Sequence, residues 1–111
     1  SGGGDGDEDC LERVGRLAHD DVRKVVSCDG HALDLTVHEY RLLLVLMGHP
    51  GRVYSRGQLM EAAWEDPGAA MERTVDAHIK SLRAKLRQAS EGADAVIETR
   101  RGLGYALREG G

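Results

Sequence analysis

Apolar side chains recur at Val75, Ile79, Leu82 and Leu86, separated by four, three and four residues, and no Gly or Pro interrupts residues 71–88. That spacing makes one narrow stripe on a long amphipathic helix. A second helix is predicted upstream, where Thr36-Val37-His38-Glu39 forms a capping box ahead of Tyr40 to Met47. Its residues are apolar on nearly every side, so it should be central and buried, with Gly48 supplying the stop and Pro50 forbidding continuation. Ser55-Arg56-Gly57-Gln58 is a second capping box, and it opens a short helix through Leu59, Met60, Ala63 and Trp64.

The flanks follow a different period. Val14, Leu17, Val25, Val26, Leu33 and Leu35 are short apolar runs punctuated by Gly15 and Asp20-Asp21. Asp29-Gly30 carries a hairpin signal between Lys24–Ser27 and Ala32–Leu35, which predicts an antiparallel sheet of three or four strands over residues 11–35. After the long helix, residues 96–99 and 105–107 read as two strands joined by the basic, glycine-containing tip Arg100-Arg101-Gly102-Leu103-Gly104. The expected fold is α+β: an N-terminal sheet at 11–35, a three-helix core at 36–89 and a β-hairpin at 96–108. Residues 1–10 form an acidic, Gly-rich leader, read as a linker or an expression remnant, and 110–111 form a tail.

The side of the long helix opposite its apolar stripe changes the picture from fold to function. Arg73, Ala77, Lys80 and Ala84 repeat there, flanked by Thr74, Ser81 and Gln88. Cations meet phosphates, small residues permit close approach, and short polar groups reach base edges. Five cations against Glu72 and Asp76 leave this helix at +3. Asp76 is expected to orient Arg73 or Lys80, its neighbours at three and four residues.

Net charge over the 111 residues is −4, the wrong sign for a nucleic-acid binder. The distribution removes the objection, because residues 1–21 carry −5 and the remaining ninety carry +1. Length and a 41% hydrophobic content suit one domain with a Leu- and Val-rich core. The chain has no apolar run of membrane-spanning length and no signal-peptide pattern, so a cytoplasmic protein without membrane contact is expected. Cys10 and Cys28 match no zinc spacing and are read as reduced thiols. No metal cluster, phosphate loop or nucleophile–base pairing points to an enzyme or a cofactor.

Two helices followed by a hairpin make a helix-turn-helix with a wing. From Leu11 to Arg108 the order of motifs resembles the DNA-binding effector domain of bacterial OmpR/PhoB-type two-component response regulators. The matching segments are Leu35-Thr36-x-x-Glu39, His49-Pro50-Gly51-Arg52-Val53-Tyr54-Ser55-Arg56, Gln58-Leu59, Trp64, Arg73-Thr74-Val75-Asp76-x-His78-Ile79, Leu82-Arg83-x-Lys85-Leu86 and Thr99-x-Arg101-Gly102-x-Gly104-Tyr105. The resemblance implies a winged helix that binds direct repeats in double-stranded promoter DNA as a head-to-tail homodimer. It also implies a receiver domain phosphorylated by a sensor histidine kinase.

Carried onto this chain, Arg73, Thr74, His78, Lys80, Arg83 and Lys85 become phosphate or groove contacts, with Ala77 and Ser81 on the same face. Trp64 becomes a backbone-phosphate contact through its main chain and Tyr105 one through its phenol. Thr99 and Arg101 become wing contacts, with Arg101 in the minor groove. The loop Glu65, Asp66, Pro67, Gly68, Ala69 and Ala70 takes the place of the family's RNA polymerase contact. Ser81 stands where several relatives place Arg or Asn, and Gly57 replaces the usual Glu. The alternative function is a winged helix used mainly for protein interaction, and steep salt dependence of binding would separate the two.

Overall fold

A computed structural model describes residues 11–65 and 72–108. It opens with a four-stranded antiparallel sheet in the order β1 (Leu11–Val14), β2 (Leu17–Asp20), β3 (Val25–Cys28) and β4 (His31–Ala32). The strands alternate as half-buried strands do. Leu17 and Cys28 face each other across β2 and β3, as do His19 and Val26, and all four side chains are buried. Asp29 and Gly30 both adopt positive φ, 50° and 86°, as a two-residue hairpin turn requires. The return strand is shorter than its sequence suggests: it ends at Ala32, while Leu33 still donates its amide to the Val26 carbonyl at 2.9 Å.

Three helices follow: α1 (Val37–Gly48), α2 (Arg56–Ala63) and α3 (Glu72–Ala89). Both expected capping boxes form. The Glu39 amide donates to Thr36 Oγ1 while the Thr36 amide donates to Glu39 Oε1, and Ser55 and Gln58 repeat the exchange. Each box satisfies two amides that a helix start leaves without partners.

α1 stops where expected: Gly48 is its last residue, His49 caps it by donating its amide to Leu46, and a left-handed turn follows at Gly51 (φ 87°). α1 is central as expected: Leu42, Leu43, Leu46 and Met47 enter the core, Tyr40, Leu44 and Val45 pack against it half-buried, and only Val37 and Gly48, at its two ends, are exposed.

The stripe predicted for α3 forms and is buried. Val75, Ile79, Leu82 and Leu86 are each at most 1% exposed and join Leu42, Leu43, Leu46 and Leu59 in the core. At roughly 1.5–3 kcal/mol for each buried aliphatic side chain, these four contacts fix which way α3 faces.

A 3-10 turn (Ala93–Val96) leads to β6 (Ile97–Arg100) and β7 (Gly104–Leu107), and β7 also pairs with β5 (Val53–Tyr54). Gly104 makes that three-stranded sheet possible: a Cβ there would lie 1.9 Å from the Tyr54 carbonyl oxygen, and its φ of 143° suits glycine. No helix among the described residues is long and apolar enough to cross a membrane.

Candidate nucleic-acid interface

The burial of α3's apolar stripe turns Arg73, Ala77, Lys80, Ser81, Ala84, Arg87 and Gln88 outward, and all seven are exposed. One edge of the helix, His78 and Lys85, runs along His38 and Glu39 in the first turn of α1. The other edge, Asp76 and Arg83, runs along the wing. The helix is thus flanked on both sides, with its cationic, small-residue face open between them.

The side facing α1 is organised by Glu39. This carboxylate is 2% exposed, and Lys85 Nζ donates to its Oε1 at 2.6 Å. Burial pushes the Glu39 acid upward in pKa, but hydrogen bonds from Lys85, Thr36 and Ser81 outweigh it and hold the group below the usual range. The Lys85 ammonium, assigned to DNA by sequence, therefore already holds a buried partner.

Beside it, the His38 and Trp64 rings stack with centroids 4.4 Å apart and an interplanar angle of 15°. His78 stands 5.4 Å from His38 and 5.5 Å from Trp64. Burial lowers the His78 pKa and the neighbouring His38 lowers it further, against the opposing pull of Glu39. The Trp64 amide donates to the Met60 carbonyl at 2.9 Å, so the main-chain donor expected for a phosphate caps α2 instead.

Asp76 corrects the expectation of a local pairing. Its Oδ1 accepts from Arg56 Nε at 3.0 Å and from the Tyr105 hydroxyl, tying together α2, α3 and the wing. Helical neighbours at three and four residues are only one source of partners, and here tertiary packing supplies better ones. Burial and Asp76 together hold the Tyr105 phenol above its ordinary pKa, so it remains a neutral donor.

Arg83 works the same way on the wing. Its Nη2 donates to the Ile97 carbonyl at 2.8 Å and to Thr99 Oγ1 at 2.7 Å. Arg56 and Glu39 belong to this site although sequence reasoning assigned neither to it. Both were in quoted motifs, but their partners lie 20 and 46 residues away.

Three of the candidate cations remain open to a ligand. Arg73, Lys80 and Arg101 are exposed and have no carboxylate partner among the described residues. Arg101 lies at the wing tip, next to Arg100, whose Nη2 pairs with Glu98 at 2.8 Å. Of the loop before α3, Glu65 pairs with Arg41 at 3.7 Å, while Asp66, Pro67, Gly68, Ala69 and Ala70 lie outside the described residues.

Comparison with known proteins adds lineage to this geometry. The family model described as transcriptional regulatory protein, C terminal, matches residues 30–107. The chain is 45% identical over 96 residues to the transcriptional regulatory protein CreB of Escherichia coli, covering 86% of this chain and 42% of that protein. It is 39% identical over 102 residues to the phosphate regulon transcriptional regulatory protein PhoB of Pseudomonas aeruginosa, covering 92% and 43% respectively. The chain thus spans less than half the length of these two relatives. Among solved structures, the DNA-binding domain of the response regulator AdeR, in complex with an intercistronic region, superposes with a TM-score of 0.79 at 31% identity, covering 88% of this chain and 99% of that one. The DNA-binding domain of CpxR from E. coli gives 0.75 at 32% identity, covering 91% and 98%.

Proposed function

The chain belongs to the family of C-terminal DNA-binding domains of OmpR/PhoB-type response regulators, and on that premise we propose that it reads double-stranded DNA with α3 in the major groove and the wing in the minor groove. The observation that carries the reading is the open face of α3. Its apolar side is sealed in the core, its edges are occupied by α1 and the wing, and Arg73, Ala77, Lys80, Ser81 and Ala84 are left outward. Arg73 and Lys80 meet phosphates or base edges, Ala77 and Ala84 admit the groove wall, and Ser81 with Thr74 supplies short polar contacts. Arg101 enters the minor groove, where negative potential is concentrated.

Lys85, Arg83, Thr99 and Tyr105 act first as supports, fixing α3 between α1 and the wing, and Trp64 acts with His78 at the α1 edge. DNA binding serves as the output of a phosphorylation-controlled transcriptional regulator in the cytoplasm. In that regulator a receiver, a sensor histidine kinase, a head-to-tail second copy and RNA polymerase at residues 65–70 are the partners. A winged helix used mainly for protein interaction is not favoured by these relatives.

Selection from a random duplex pool at two salt concentrations tests the reading. A direct repeat with half-sites about 10–11 base pairs apart, bound more weakly at high salt, is expected. Absence of binding at low salt overturns it.

A further inference from the structure

We infer that His38 and Trp64 are positioning residues for His78, and that this three-ring cluster makes DNA binding consume a proton. The inference rests on the DNA-binding reading above and deepens it, because it concerns how the same surface responds to acidity.

The geometry is specific. His38 comes from the first turn of α1, Trp64 from the residue that caps α2 and the half-buried His78 from the edge of α3 that faces α1, so three helices deliver one ring each. The His38–Trp64 stack forms a flat wall, and His78 leans against both members at interplanar angles of 46° and 58°. Along its row of α3, His78 follows Thr74 by four residues and precedes Ser81 by three.

The charged and titratable groups around His78 are few. From α1 they are His38 and the buried Glu39; from α3 the nearest cation in the row is Lys85, which is held by Glu39; α2 contributes the neutral indole of Trp64. Burial and the second imidazole both disfavour a charge on His78 in the free protein. A phosphate arriving beside the half-buried His78 reverses that balance. It supplies a negative neighbour and an acceptor for the ring N–H, while the face of Trp64 accommodates a cation. The imidazole therefore takes up a proton more readily in the complex than in the free domain. Since the bound state holds more protons than the free state, affinity must rise as pH falls.

The test uses the full chain and a mixed-sequence duplex at constant low salt, with affinity measured between about pH 6 and pH 8. The wild-type protein should gain affinity on acidification, by at most about tenfold per pH unit for one proton. His78→Gln should flatten most of that gain. His38→Gln removes the second imidazole that disfavours a charge on His78, so the His78 imidazole resonances of the free protein should titrate at higher pH and the affinity profile should shift the same way. His49→Gln, at an exposed site outside the cluster, should leave the profile unchanged. Equal pH slopes for wild type and His78→Gln overturn the inference, as does a His78 midpoint that His38→Gln fails to move. A wild-type chain that binds no duplex at any pH overturns the DNA-binding reading itself, a separate result from binding with a flat profile.

Discussion

Replacing Lys85 with Met removes the ammonium that holds the buried Glu39 and keeps most of the aliphatic volume. Breaking a buried ion pair from one side costs about 3–5 kcal/mol, because the remaining charge is left uncompensated. The Lys85 side chain retains 29% exposure, so water can approach Glu39 from that side and the expected loss is smaller, about 2–3 kcal/mol. For a domain of this size that corresponds to a fall in Tm of roughly 8–20 °C.

The pH dependence should also invert. In the wild type the folded-state pKa of Glu39 is depressed, so its contribution is present above the unfolded value and is lost as pH falls through the folded one. Without Lys85, burial dominates and raises that pKa, so acidification should relieve part of the damage. Adding Glu39→Gln to Lys85→Met should recover stability for the same reason. Urea unfolding at neutral and mildly acidic pH, with salt-dependent DNA binding in parallel, measures all of this. A Lys85→Met protein within about 0.5 kcal/mol of wild type, whose salt slope falls as for a lost phosphate contact, would make Lys85 a DNA ligand and refute the reasoning.

Arg73→Ala should weaken binding to every duplex and lower the salt slope by about 0.9, the counterion share of one phosphate contact; an unchanged slope in a titration series counts against the docking. Arg101→Ala should lose affinity for sites with narrow A·T-rich flanks and little for G·C-rich ones, and equal losses would remove Arg101 from the minor groove. Arg83→Met releases Ile97 and Thr99, so amides of β6 should exchange faster with solvent while α1 amides do not. Gly104→Ala must force β7 away from Tyr54, at a cost of about 1–3 kcal/mol or more by thermal unfolding.

The three helices were legible because their signals are local. Two capping boxes, one stripe of four apolar residues and an Asp-Gly turn each lie within a few positions and each formed. The outward face of α3 followed from the same periodicity. What the sequence concealed was the difference between cations of identical type. Lys80 and Lys85 look alike along the chain, yet one is open and the other is held by a carboxylate 46 residues upstream. Asp76 likewise turned from its helical neighbours to Arg56 and Tyr105, because a rigid α2 start and wing base present donors at fixed positions. The three rings at the α1 edge come from residues dispersed over 40 positions, and no spacing rule joins them. Gly48 closes α1 as its last residue, while the left-handed turn that follows is made by Gly51.

The pairing of β5 with β7 has a topological consequence. Val53↔Ala106 and Tyr54↔Tyr105 bring together the two ends of one covalent loop, and α2, α3 and the wing all lie inside it. The Gly51 amide, donating to Leu107 at 2.7 Å, adds a further link just outside the loop. The entry and exit of the DNA-facing segment therefore sit side by side, like the two legs of a padlock shackle. Unravelling that begins at either terminus meets this clasp before it reaches the reading head. Sequence joined upstream of β5 and sequence joined downstream of β7 therefore leave from the same edge.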